Sequence, residues 1–284
     1  YLTDAPFLAV GRRGNDSSRR ALGRARWIAV LFMALYIAAA VFIPLIALGK
    51  QAFLEPMPDY LRDRSMPGDY LPMDRDIGYS MTFVQRAWEQ LAPAVADSLL
   101  YAAAGSLLVC LLGMVFAYSR ERHGQRVSDF LLLLFFAIPS TLLGVALILF
   151  FNRPAFESIY ASAAIILIGY IGKFTFVSSR IIGNGLHQIP AGIEDAARLT
   201  GAPFFTRMRA MVLPLVREPF FAAFIVCFVF CMSEMACTIV IYPPGKALLP
   251  VQIATSMHNT PDGLLSAMVL IVLCLTLAAL GVFY

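Results

Sequence analysis

Glu194-Asp-Ala-Ala-Arg-Leu-Thr-Gly-Ala-Pro-Phe-Phe-Thr-Arg-Met-Arg-Ala-Met-Val-Leu-Pro214 is a charged stretch, punctuated by glycine and proline, that lies between long apolar runs. Read as helices, it divides in two. Pro190 can open the first, because a proline at the first helical position gives up no needed bond. Ile193, Ala196, Ala197 and Thr200 then share one side at i, i+3, i+4, i+7, while Glu194, Asp195 and Arg198 fall elsewhere. Gly201 stands where a left-handed terminating residue is wanted. Pro203 restarts the chain, and Phe204, Met208, Met211 and Leu215 form a second apolar stripe with Arg207 and Arg209 off it. Pro214 marks the start of the next apolar run. Two short amphipathic helices at an angle fit a groove on another protein. The plainer alternative is a connector lying on a membrane, arginines up and phenylalanines down.

The surroundings of this stretch are built for lipid. The chain is 60% hydrophobic and 14% charged, with a mean hydropathy of +0.75, whereas a soluble domain carries about a quarter charged residues. Uncharged runs cover 28–49, 98–119, 130–152, 158–172, 219–233 and 263–284. A bilayer core about 30 Å thick needs about 20 residues of helix. Four runs suffice alone, and two do so if each tolerates one ionisable residue, Lys173 and Glu234. The expectation is an all-α, six-span bundle: a cytoplasmic tail at 1–26, a first span at 27–49, an external loop at 50–93, and a core at 94–284. Within that core, spans fall at 94–119, 129–152, 158–181, 217–243 and 263–284, with a cytoplasmic loop at 183–216. The net charge of +4 is unevenly placed. Arginines of the tail, of 120–126 and of 180–217 outnumber the bases at Lys50, Arg62, Arg64, Arg75, Arg86, Arg153 and Lys246. The positive-inside bias then puts both termini in the cytoplasm.

Several functions are excluded or weakened by the same residues. Nucleic-acid binding would need a basic surface on a soluble module, and the basic residues here read as topology signals. Cys110, Cys227, Cys231, Cys237 and Cys274 lie in apolar runs, and neither they nor the scattered His123, His187 and His258 have zinc spacing, so no metal site is expected. The Arg-rich flank and first apolar run superficially fit a signal peptide, but the run is longer than the roughly 7–15 residues usual there. Gly169-Tyr-Ile-Gly172-Lys173 is not a phosphate loop, because Leu167 stands where its first glycine belongs and Phe174 where its hydroxyl belongs. No nucleophile–base set appears, so neither catalysis nor a cofactor is expected. Lys173 and Glu234 read as either a solute-path contact or a structural, ion-paired or snorkelling couple, with the structural role favoured. Small residues in the second and fourth spans indicate close helix packing, and Pro139 should bend the third span. The segment 50–93, with Trp88 as an interfacial anchor, reads as a solvated loop or as a contact for an external partner. The tail arginines can touch membrane headgroups.

The stretch at 194–214 resembles the cytoplasmic EAA loop of permease subunits of binding-protein-dependent ATP-binding-cassette (ABC) importers. That loop reads Glu-Ala-Ala, three residues, Gly, nine residues, Ile, one residue, Leu-Pro. Asp195-Ala196-Ala197, Gly201, Met211 and Leu213-Pro214 match the spacing, with Asp for Glu beside Glu194 and Met for Ile. The resemblance covers roughly 94–284. It implies a type I importer permease in a bacterial inner membrane, with Glu194, Asp195, Ala196, Ala197, Gly201, Leu213 and Pro214 forming a coupling helix that docks an ABC ATPase subunit. It also implies a second permease subunit or fused half, a periplasmic substrate-binding protein, and ATP held by the partner rather than by this chain. Tyr242-Pro-Pro-Gly245, Leu249-Pro-Val-Gln-Ile253 and Ile138-Pro139-Ser140 resemble the ferric-iron branch. Iron(III) is therefore the favoured solute, with thiamine, polyamine, sulfate or phosphonate as alternatives. An ATPase-independent channel or ion-coupled carrier, and a structural subunit without a solute path, are the readings of another class.

Overall fold

The computed structural model describes residues 23, 25–55, 78–245 and 247–283. Expectations about headgroup contacts of the tail and about a partner surface on 56–77 lie outside the described residues. The helices in chain order are α1 (Ala25–Ile37), α2 (Ile43–Ala52), α3 (Thr82–His123), α4 (Arg126–Ala137), α5 (Ser140–Phe151) and α6 (Glu157–Tyr160). They continue with α7 (Ala164–His187), α8 (Ala191–Leu199), α9 (Phe204–Arg207), α10 (Leu213–Ser233), α11 (Thr238–Ile241), α12 (Leu249–Ser256) and α13 (Asp262–Phe283). The chain divides into two units, 1–47 and 48–284. In the first, apolar side chains such as Trp27, Ile28, Phe32 and Tyr36 are exposed, as lipid-facing side chains would be.

The second unit is organised around α3. Its buried residues, among them Phe83, Ala87, Leu91, Ala94, Ser98, Ala102, Val109, Gly113 and Ala117, recur every three or four positions, which lays one stripe against the neighbouring helices. The expected boundary at 93/94 is absent. Pro93 lies inside the helix, because buried Leu91 and Ala94 on either side hold it through the lost bond. Helices α7, α10 and α13 pack on this stripe. At the α3–α7 seam, the Ser178 hydroxyl donates to the Val109 carbonyl at 2.8 Å. Gly113 has no room for a side chain there, since a Cβ would collide with Ser178 and come within 2.9 Å of the Ser179 amide nitrogen.

Among the described residues, five helices are long and apolar enough to cross a membrane: 26–52, 82–123, 164–187, 204–233 and 262–281. The pair α4 and α5 is together long and apolar enough for a broken sixth span or a re-entrant loop, and it differs from the expected bent span. The two halves meet at 103°. Pro139 supplies no amide, and Ile138 is forced to extended backbone (φ −61, ψ 130), as the residue before a proline usually is. The ladder therefore ends and restarts. The fifth span is also displaced from its expected bounds of 217–243. Its helix begins at Phe204 and stops at Ser233, with Glu234 extended at ψ 106 and α11 a separate turn.

Candidate functional site

Between α7 and α10 the first of the two predicted helices is present as α8, whereas the second, α9, is the start of a helix that continues through 208–212 into α10. Pro190 stands just before α8, with extended ψ. Gly201 ends α8 in the left-handed region at φ +80. Its amide bonds the Arg198 carbonyl at 3.0 Å, and the Ala202 amide reaches back to the Ala197 carbonyl at 3.1 Å. This pair of bonds is a Schellman termination. No atom lies within 4 Å of a Cβ built at Gly201, so glycine is required for backbone conformation and not for space.

The stripe Ile193, Ala196, Ala197 and Thr200 lines a groove of about 450 Å³, with Thr206, Arg207, Ala210 and Met211 as the other wall. The second predicted stripe splits. Met211 faces this groove, whereas Phe204 and Met208 line another of about 520 Å³ against Leu111, Met114 and Tyr118 of α3. The cause is a π-turn over 208–212, where the Leu213 amide bonds the Met208 carbonyl. Its wider turn breaks the i, i+4 register.

Among the docking residues expected from the sequence, Asp195 is exposed and 3.9 Å from Arg198. Ala196 and Gly201 are exposed, Ala197 is buried, and Leu213 and Pro214 are exposed on the helix that follows. Glu194 departs from the expectation: it is only 7% exposed. Its carboxylate accepts the Tyr118 hydroxyl at 2.8 Å and Arg122 Nε at 2.6 Å. Arg122 also reaches the Ile189 carbonyl with both terminal nitrogens at 3.3 Å. Sequence reasoning missed Tyr118 and Arg122 because they are 76 and 72 residues from Glu194. The available signal was their i, i+4 spacing, which places them on one face of α3. Around them Leu186, Val212 and Val216 form a small buried cluster, with Met114, Tyr118, Ile189 and Met208 packed against it.

Other charges brace the same end of the bundle. Asp129 of α4 accepts Arg120 at 3.1 Å and Arg180 at 2.6 Å, joining α3, α4 and α7. Glu121, near the end of α3, accepts Arg120 Nε at 3.0 Å and lies 3.0 Å from His187 Nδ1 of α7.

Lys173 and Glu234 do not form an ion pair, and each is satisfied separately. Lys173 Nζ donates to the Phe136 and Ile138 carbonyls at 2.9 and 2.7 Å, closing the C-terminal end of the broken α4. The Glu234 carboxylate accepts the Cys237 amide at 2.7 Å and lies 3.5 Å from Ser140 Oγ, the first residue of α5. A cation thus meets the negative end of α4, whereas the Glu234 carboxylate takes its backbone bond from Cys237, ahead of α11. The expected alternatives of direct pairing and snorkelling are replaced by these separate contacts.

Residues 110–284 match a family model described as the binding-protein-dependent transport system inner membrane component. A Salmonella paratyphi A protein named as a 2-aminoethylphosphonate transport system permease, PhnV, is 30% identical over 199 residues, which span 67% of this chain and 72% of the relative. A Haemophilus influenzae protein named as a ferric transport system permease, FbpB 1, is 26% identical over 164 residues, or 57% of this chain and 26% of that protein. A solved bacterial ABC transporter involved in import of the acidic polysaccharide alginate superposes with a TM-score of 0.65 at 12% identity, covering 92% of this chain and 96% of that one. The MetNI methionine ABC transporter gives 0.55 at 16% identity, covering 68% and 93%. These likenesses show the fold: an all-helical ABC-importer permease bundle.

Proposed function

The chain belongs to the family of binding-protein-dependent transport system inner membrane components, and from that premise we propose how it is driven and what it carries. It is a multi-pass permease subunit of an ABC importer. In our reading the exposed face of α8, with Asp195 and Ala196, seats in a cleft of a separate ABC ATPase subunit. That subunit binds and hydrolyses the ATP, and this chain is non-catalytic. Closure of two ATPase subunits moves α8 as a rigid body and turns the bundle between outward and inward access. A second permease subunit or fused half completes the path, a periplasmic binding protein delivers the solute, and both termini face the cytoplasm. The single observation that carries this reading is the Gly201-terminated α8, which stands exposed beside an apolar groove.

For the solute, 2-aminoethylphosphonate takes precedence over iron(III). The relatives named for the phosphonate are 30% identical and match over most of their own length, whereas the ferric relative matches over about a quarter of its length. The Tyr242–Ile253 and Ile138–Ser140 segments keep iron(III) as the second reading. The test is uptake into vesicles holding the complete transporter, with labelled 2-aminoethylphosphonate and ferric iron supplied in parallel. We expect ATP-dependent uptake of the first and a crosslink from Asp195→Cys to the ATPase. Uptake that persists without any ATPase subunit would return the chain to the channel or carrier reading.

A further inference from the structure

We propose that Glu194 is a positioning residue: its bonds to Arg122 and Tyr118 lock α8 to the end of α3, so that displacement of α8 is carried directly into the longest helix of the bundle. This rests on the reading of α8 as the ATPase-docking element, and it gives Glu194 a role distinct from that of its neighbour Asp195.

The argument starts from how little else holds α8. It has nine residues, too few to keep a helical orientation by propensity alone. Among its described side chains only Glu194 and Ala197 are buried, and Leu199 is 90% exposed. Within the described residues, the side-chain hydrogen bonds from α8 to another helix are the two made by Glu194. Both are short, and the ion pair is largely shielded from water, where charge-assisted bonds are strong and geometrically specific. Arg122 binds the Ile189 carbonyl as well, so one guanidinium holds both α8 and the chain leading into it. Tyr118 completes the device. Its hydroxyl holds Glu194 while its ring packs edge-on against Phe204 at 6.1 Å, so the end of α3 grips both arms of the loop. Helix α3 then runs 42 residues without a break. A push on α8 has a stiff path into the middle of that helix, where Ser98 Oγ accepts the Leu249 amide.

The test measures rigidity between α8 and α3 in the assembled transporter. Nitroxide labels are placed at Leu199→Cys and His123→Cys, both exposed positions, in a Cys274→Ser background because the remaining cysteines are buried. We expect one narrow distance that is unchanged between nucleotide-free and vanadate-trapped states. Glu194→Ala should retain the ATPase on co-purification yet lose the single narrow distance and uncouple hydrolysis from uptake. Glu194→Gln, whose amide oxygen can still accept from Tyr118 or Arg122, should give a distribution narrower than Glu194→Ala. A Glu194→Ala protein that keeps it in both states overturns the clamp. So does loss of ATPase co-purification on Glu194→Ala alone, which would make Glu194 a docking contact. Failure of a chain with Glu194 intact and Asp195→Cys to crosslink the ATPase strikes the docking reading instead.

Discussion

At the scale of single residues, Lys173 and Gly201 each solve a backbone problem. An ammonium inside an apolar bundle is costly, but so are the carbonyls stranded where α4 ends ahead of Pro139. Bringing the two together removes both costs. Lys173→Met should leave the Phe136 and Ile138 carbonyls without donors, at about 1–3 kcal/mol for each unsatisfied group. The expected outcome is a lower melting temperature in detergent, with Lys173→Arg retaining most of the stability. An unchanged melting temperature in Lys173→Met would show that the carbonyls find other donors. Gly201 is a backbone requirement of another kind. At φ +80 a side chain costs roughly 1–2 kcal/mol, and a β-branched one is the worst choice. Gly201→Val should insert and fold normally, while the end of α8 is re-aimed and hydrolysis no longer drives uptake. Normal uptake by that variant would weigh against docking through α8.

At the scale of elements, prolines decide where helices widen, break or continue. A π-turn occupies 38–42 and another 208–212, and in each case a proline, Pro44 or Pro214, follows two residues after the turn. A proline within a helix lacks an amide and crowds the carbonyl four residues back. A wider turn at that point lets the carbonyl move aside without ending the helix. Pro214→Ala removes the reason for the second π-turn. Regularising it would rotate the upstream segment by about 100° relative to α10, the angle of one residue on an α-helix. That rotation would dismantle the groove between α8 and Met211. We expect no loss of thermal stability but reduced uptake per ATP hydrolysed. Unaltered coupling would mean that the π-turn is held by packing and not by the proline. At Pro139 the chain breaks, with Ile138 in extended backbone, and the 103° turn is met by Lys173 from α7 and by Glu234 from the extended segment after α10.

At the scale of the whole molecule, the close seam between α3 and α7 fixes the bundle. Gly113→Leu should force these helices apart and cost about 1–3 kcal/mol from overpacking, read as a lower melting temperature, with Gly113→Ala intermediate. Equal stability of all three would show that the seam yields. Much of the bundle was legible beforehand. Apolar length identified five candidate spans and the region of the bent pair, and Gly201 and the α8 stripe were readable because helix termination and i, i+4 periodicity are local properties. The division of labour between Glu194 and Asp195 was not. Adjacent carboxylates look alike in sequence, and their roles separate only when Tyr118 and Arg122 arrive from α3. The expected boundary at 93/94 failed for a related reason, since packing around Pro93 overrides its local preference. By itself the sequence determined that this chain is built for lipid, which runs are long and apolar enough to cross it, and where α8 is terminated at Gly201, because these follow from transfer energy and near-neighbour backbone geometry. Only the tertiary structure decided that Lys173 closes the end of a broken helix while Glu234 finds separate partners, and that Glu194 faces inward. Those outcomes depend on which distant groups share a dry interior, where a polar atom must find its partner wherever the fold puts one.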